Sequence, residues 1–343
     1  MTERLADHTT FGVGGPAAKW VEPETEQELI EAVARADAAG EPLLVLGGGS
    51  NVLIGDDGFA GTVVHTGRLR GVHVDDVAAC SGAFLTVSAG EPWDAFVAST
   101  VVHHQVGIEA LSGIPGLVGA TPVQNVGAYG QEVSQAIARV RCYDREQAEI
   151  RTFSAIECHF GYRESRFKRE PGRWVVLSVS FQFRLGDLSA PIRYTELARA
   201  LGVELGQRAP LAEVRRAVLE LRRSKGMVFD RADHDTWSAG SFFTNPVLAD
   251  ASAVPDGAPA YPQPDGRVKT SAAWLIEHAG FNRGYGRGLA RLSAKHALAL
   301  TNRGSATADD VVALAREVRD GVETAYGIRL VAEPVLIGIS LDD

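Results

Sequence analysis

The 343-residue sequence predicts an α+β protein of about two domains. Three observations carry that expectation. Helical and strand patterns alternate over residues 1–185, whereas the remainder mixes helices and short strands in another order, with a boundary near Leu185–Pro191. The composition, 45% apolar and 22% charged, is that of a globular chain and excludes a disordered one. Between the patterned segments, Ala110–Gln131 runs 22 residues without a charge.

The elements follow in order. Thr25-Glu26-Gln27-Glu28 fits a capping box, with Leu29, Ile30, Val33 and Ala36 on one face of the helix and Gly40 as its stop. Pro42–Leu46 reads as a buried strand entering Gly47-Gly48-Gly49-Ser50-Asn51, followed by Val52–Ile54 and a turn at Gly55–Gly58. Strands are predicted at Thr62–His65, Phe84–Ser88, Val140–Tyr143 and Trp174–Phe183, and a helix over Pro92–His103 with the proline in its first turn. Beyond the boundary, Leu211–Arg223 is an amphipathic helix and Pro255–Gly266, with four prolines, a rigid loop. Ser271–His278 is a short helix closed at Gly280, and Thr307–Tyr326 the longest helix, with Asp309 and Asp310 in its first turn. Leu330–Ile339 reads as a final strand holding one acid, Glu333, that looks buried.

Charge and cysteine usage narrow the function. Thirty-four Lys plus Arg against 43 Asp plus Glu leave a net charge of −9, which argues against a general nucleic-acid binder. Cys80, Cys142 and Cys158 have no zinc-ligand spacing, and His8, His65, His103 and His104 form no metal pattern; reduced thiols in a cytoplasmic protein are expected. The N-terminus lacks a secretory pattern. Ala110–Gln131 is long enough to span a bilayer, but five glycines and two prolines exclude a helix there, so no membrane insertion is expected.

Two glycine-rich segments remain. Gly12-Val13-Gly14-Gly15-Pro16-Ala17 matches a dinucleotide fingerprint by letters, yet no strand precedes it and no helix opens after it, so a Rossmann site is rejected. Gly47–Asn51 is better placed, directly after a strand. It is either an ordinary glycine turn or an anion nest for a diphosphate. The charge-free stretch should be buried, its backbone satisfied by its own neighbours or by a flat polar ligand. Taken with the glycine run, it favours a large cofactor.

The paired segments LGGGSN and GIPGLVGATPVQNVGAYG resemble the FAD-binding module of the vanillyl-alcohol-oxidase type. With HTTFGVGG, FGYRESRFK, SAGSFFTNP, YPQPDGRVKTSAAWLIEHAG and AEPVLIG, nearly the whole chain is similar to the UDP-N-acetylenolpyruvoylglucosamine reductase (UDP-N-acetylmuramate dehydrogenase) family. The resemblance implies a two-part FAD-binding module at 1–185, an inserted loop region at 186–204, and a C-terminal α+β substrate-binding domain at 205–343 whose last strand, about 330–340, returns to the flavin site. It implies non-covalent FAD, NADPH as hydride donor and a UDP-sugar enolpyruvyl ether as substrate, in peptidoglycan synthesis and hence cell-wall biogenesis, cell shape and division in the cell cycle. A monomer is favoured.

Carried over position by position, the resemblance implies Arg163, Ser241 and Glu333 as catalytic residues. Read from its residue type alone, each has a plainer alternative: a surface arginine in the basic run Arg163–Arg169, a turn serine, and an acid in a structural ion pair. Cofactor contacts are implied for Gly47, Gly48, Gly49, Ser50, Asn51, Gly113, Pro115, Gly119, Ala120, Thr121, Gly127 and Tyr129. Substrate contacts are implied for Tyr162, Tyr194, Lys225, Asn245, Tyr261 and Lys269, the lysines and tyrosines forming a diphosphate clamp. Tyr194, within Pro191–Leu197, marks the type with an inserted tyrosine loop, and Lys295-His296 departs from a glutamine-containing pattern. A related FAD oxidase and a catalytically silent nucleotide-sugar binder stand as alternatives.

Overall fold

The computed structural model describes residues 3–342 and divides into two compact units that do not follow chain order. One contains Ala18–Gly48 and Ala60–Arg223; the other contains Met1–Ala17, Gly49–Phe59 and Ser224–Asp343. The boundary falls inside the glycine run, between Gly48 and Gly49.

In the larger unit, helix α1 (Glu26–Ala38) is capped by Thr25, whose hydroxyl accepts from Glu28 N at 3.2 Å. Glu28 reaches back to Glu24 N (2.8 Å), one residue before the cap, so the predicted box is offset. Leu43–Leu46 runs parallel to Phe59–His65, which also pairs with Ala17–Val21. That third strand was not expected, and it replaces the helix a dinucleotide fingerprint would need. The main sheet is ordered Glu149–Ser154, Ile137–Asp144, Trp174–Leu185, Gly82–Ser88, Val72–Ala78. Val179, Phe181 and Phe183 alternate inward from its central strand onto Trp93, Phe96 and Val97 of α2 (Trp93–Val102). The rings of Phe96 and Phe181 stand 5.1 Å apart. Pro92 is the N-cap of α2 rather than a member of its first turn. Val72–Ala78 and Glu149–Ser154 escape a reading of apolar alternation because they are edge strands with mostly exposed side chains. The unit continues with α3 (Arg166–Arg169), α4 (Thr195–Leu201) and α5 (Leu211–Ser224). Val214, Ala217 and Val218 of α5 pack with Leu197 and Ala198 of α4 in a separate small core.

The second unit is built on α6 (Ala272–His278) and α7 (Ala308–Tyr326), whose Leu275, Ile276, Val311, Val318 and Val322 meet Phe242 and Phe243. Thr307 and Asp310 form a reciprocal capping box on α7, and Asp56 accepts from Ala308 N at 2.8 Å, so three acids, Asp56, Asp309 and Asp310, sit at the positive helix end. Ala260–Pro262, inside the expected proline loop, is a strand paired with Val268–Thr270; the loop expectation is corrected there. The final strand is also shorter than expected. Only Val335–Ile337 is regular, pairing in parallel with Val52–Ile54; two residues before it, Glu333 N donates to Phe242 O rather than continuing the ladder. Among the described residues the cysteines are unpaired, no cluster suits a metal ion, and no helix is long and apolar enough to cross a membrane.

Gly321 lies within α7, where a Cβ would fall 2.3 Å from the Phe281 ring. Glycine to alanine in a helix ordinarily stabilises by about 0.5–1 kcal/mol. Here Gly321→Ala is expected to destabilise by about 1–3 kcal/mol through overpacking, read as a lowered midpoint in urea unfolding.

Candidate functional site

The larger unit brings the two glycine segments together. A Cβ on Gly48 would stand 2.8 Å from Gly116 Cα, and one on Gly47 3.7 Å from Ala120 Cβ, so the strand-end turn lies backbone to backbone against the charge-free stretch. That stretch is held largely by its protein neighbours. Gly119 N donates to Ala89 O (2.8 Å), Val118 N to Glu91 O (2.9 Å), Trp93 N to Gly116 O (3.0 Å) and Trp93 Nε1 to Leu111 O (3.1 Å). Gly113 N donates to Asp94 Oδ1, and Arg215 of α5 grips the same carboxylate through both guanidinium nitrogens at 2.7 and 2.9 Å. Pro115 and Gly119 are half-buried beside this seam; Thr121 is buried and bonds Val118 O at 2.8 Å. Apposed glycine backbones and a charge-free wall fit a flat cofactor with a diphosphate, for which backbone N–H groups are the natural partners.

Further along, five non-glycine residues adopt the left-handed backbone region: Asn125 (φ 44°), Tyr129 (φ 49°), Ala148 (φ 53°), His159 (φ 49°) and Arg163 (φ 52°), three of them expected site residues or their neighbours. Such conformations cost about 1–3 kcal/mol each and gather at functional sites. Asn125 is fully buried, its amide donating to Glu132 (3.0 Å) and Gly161 O (2.9 Å) while its oxygen accepts from Ser134 N. Arg163 sits in the turn Gly161–Glu164 and donates from Nη2 to Gly127 O at 2.9 Å, with its guanidinium over the Tyr162 ring. It is therefore half-buried against the charge-free segment, and the surface-arginine alternative does not hold.

Arg222, which the sequence reading passed over, faces Tyr129, Asp94 and Arg163 electrostatically. Burial pulls its guanidinium down to about 10, leaving it cationic at neutral pH. Burial likewise pushes the Tyr129 hydroxyl up to about 12, despite the nearby Arg222 charge. A signal existed: Arg222 continues the apolar series Val214 and Val218 at a spacing of four, so a cation occupies an inward helix position. Tyr194 is the N-cap of α4, about half exposed, with its ring edge-on to Tyr129 at 5.4 Å. Residues 186–204 are thus partly helical rather than a plain loop.

The second unit gathers another set. Glu333 N donates to Phe242 O (2.8 Å), Thr244 N to Val331 O (3.0 Å), and Phe243 bridges Ala332, so the segments carrying Ser241 and Glu333 are paired. Asn51 joins them: its amide donates to Glu333 O at 3.5 Å and its carbonyl accepts from Val335 N at 3.0 Å. Glu333 is half-buried and precedes the last strand, which corrects the expectation of an acid inside it. Gly49 and Ser50 belong to this unit. Tyr261 and Lys269 are direct cross-strand partners, consistent with a shared ligand. Asn245 accepts from Ala272 N (2.9 Å) and so also caps α6. Lys225 follows the end of α5, and Lys295 is engaged by the Asp233 carboxylate.

The comparisons with known proteins agree with this organisation. Residues 17–154 match the FAD binding domain and residues 231–337 the UDP-N-acetylenolpyruvoylglucosamine reductase C-terminal domain. A flavin-binding domain joined to that C-terminal domain defines an FAD-dependent oxidoreductase. Relatives named UDP-N-acetylenolpyruvoylglucosamine reductase are 57% identical in Cutibacterium acnes (98% of this chain, 90% of the relative) and 55% in Thermobifida fusca (98% and 97%). The crystal structure of the reductase from Thermus caldophilus aligns with a TM-score of 0.65 at 26% identity, over 98% of this chain and 99% of that one. The chain belongs to the UDP-N-acetylenolpyruvoylglucosamine reductase family.

Two measurements test the geometry of the larger unit. Burial raises the Asp94 carboxyl, but the Arg215 pair and Gly113 N–H more than offset it and hold it below the ordinary aspartate range. Its stabilisation is therefore present above about pH 4 and lost as pH falls through the lower folded value. Asp94→Asn is expected to cost about 1 kcal/mol at pH 7, given partial solvent screening, with the difference from wild type shrinking as pH falls through the lowered folded value in denaturant titrations. Gly48→Val is expected to yield colourless protein that takes up no added FAD, read from its visible spectrum.

Proposed function

We propose that this protein reduces UDP-N-acetylglucosamine enolpyruvate to UDP-N-acetylmuramate, using NADPH and non-covalently bound FAD. The supporting observation is the conjunction of the family membership with the Gly48–Gly116 apposition, a backbone cradle of the kind a flavin dinucleotide needs. When bound, FAD accepts hydride from NADPH and passes it to the enolpyruvyl double bond. The chain's own residues then have three tasks.

The first is to hold negative charge. Hydride addition at the terminal carbon leaves enolate character beside the substrate carboxylate, and the planar fork of Arg163 suits that carboxylate. Its bond to Gly127 O and its fixed turn restrict the guanidinium before substrate arrives. The second task is to deliver a proton, which we assign to Ser241, with Glu333 as the acid carried on the segment paired to it. The third is to bind the sugar nucleotide, for which Tyr261 and Lys269 offer a hydroxyl and a cation from facing strand positions, joined by Lys225, Asn245, Tyr162 and Tyr194. Gly47–Asn51, Gly113, Pro115, Gly119–Thr121, Gly127 and Tyr129 are assigned to the flavin. The product feeds peptidoglycan assembly, and through it cell shape and division, with the cytoplasm as the compartment. SAGSFFTNP and AEPVLIG, which a general flavin oxidase would not need, support this reading over an oxidase of another alcohol or sugar.

The test is anaerobic. The flavin spectrum is expected to bleach with NADPH and return on adding UDP-N-acetylglucosamine enolpyruvate; bleaching without return would favour an oxidase of another substrate. Ser241→Ala is expected to leave bleaching nearly intact while slowing return by about 10²-fold or more, and equal slowing of both half-reactions would remove Ser241 as proton donor.

A further inference from the structure

Glu109 lies immediately before the charge-free stretch and is buried to 1% exposure. Carboxylates are seldom buried so completely without a partner, and among the described residues no cation pairs with this one. Its oxygens instead collect three N–H donors from three places in the chain. Oε2 accepts from Gly107 N at 2.7 Å; Oε1 accepts from the Gln131 side-chain amide at 2.9 Å and from Ala190 N at 2.7 Å. Gln131 closes the loop by accepting from Ala110 N at 2.7 Å. The two side chains thereby join the beginning and end of the charge-free stretch and attach both to the segment that leads into Tyr194.

That segment has further anchors on its other side. Ser189 N donates to Ala209 O and Ile192 N to Gln207 O, both at 2.8 Å, and buried Ile192 packs among Ala110, Leu197 and Val218. Toward Gly130 the fit is close, since a Cβ there would meet Arg193 Cβ at 3.1 Å. The Tyr194 ring is thus set by Tyr129 beside it and by the backbone at Ala190, whose N–H is held by Glu109.

We propose that Glu109 is a positioning residue for the substrate step, fixing the 189–194 segment so that Tyr194 meets the sugar nucleotide in a defined place. This rests on the assignment of Tyr194 to substrate binding. A carboxylate suits the position because it accepts all three N–H groups and has no donor of its own. A carboxamide would turn an N–H toward one of those donors.

The experiment uses the full chain loaded with FAD. Glu109→Gln is expected to keep flavin content and kcat within about twofold while raising KM for UDP-N-acetylglucosamine enolpyruvate by about tenfold, the loss of one charge-assisted hydrogen bond. Amide exchange across residues 188–196 should accelerate in the same variant. Ala190→Pro, which removes that N–H and leaves Glu109 intact while also fixing φ at 190, should raise KM similarly, and it carries the test should Glu109→Gln not fold. An unmoved KM in these variants, or a fall in flavin content and kcat as large as the change in KM, would overturn the proposal. Wild-type inactivity toward this substrate would overturn the functional reading first, and this inference with it.

Discussion

A buried backbone must find partners for its N–H and C=O groups, and Ala110–Gln131 puts that demand at the centre of the larger unit. The stretch has no charged side chain of its own, so the pairing comes from the chain around it. Ala89, Glu91, Trp93 and Asp94, which lead into and begin α2, supply most of the partners between Leu111 and Gly119. Glu109 and Gln131 close its two ends. Placement of the glycine run, of Arg163 on Gly127 and of Tyr129 beside Tyr194 all follow from that segment being fixed.

The site chemistry depends on where cations are permitted. Arg163, Arg215 and Arg222 all converge on a segment that carries none itself. Arg215 is paired with Asp94, while Arg163 and Arg222 feel each other's charge. Like charges so placed repel, so the surrounding acceptors must offset that cost in the folded chain.

How much of this was legible in the sequence depends on how local the cause is. Trp174–Phe183 was readable because alternate apolar residues meet one core, and Thr307 because a cap acts within three residues. Val72–Ala78 was not: it is an edge strand whose valines are exposed, so its pairing is decided by the neighbouring strand rather than by its own pattern. Arg163 read as one member of a basic surface run, and its burial comes from Gly127, 36 residues away. Glu109 was passed over because its role arises wholly from long-range partners, whereas Arg222 was legible as a cation at an inward helical spacing. Local propensity cannot report a hydrogen bond between residues 109 and 190. The segments bearing Ser241 and Glu333 were recognisable as motifs, but their pairing across some ninety residues was not readable from spacing.

The interleaving of the two units bears on how the chain is made. The larger unit's sequence is complete once Arg223 has been synthesised, whereas the other needs residues 1–17, 49–59 and 224–343. Its hydrophobic cluster joins Phe11 and Val13 to α6 and α7, contacts of very high sequence separation. During vectorial synthesis at roughly 5–20 residues per second, those N-terminal apolar residues wait on the order of ten seconds or more for their partners. Phe11 and Val13 are therefore made early and buried late, and in that interval they are available to chaperones and proteases.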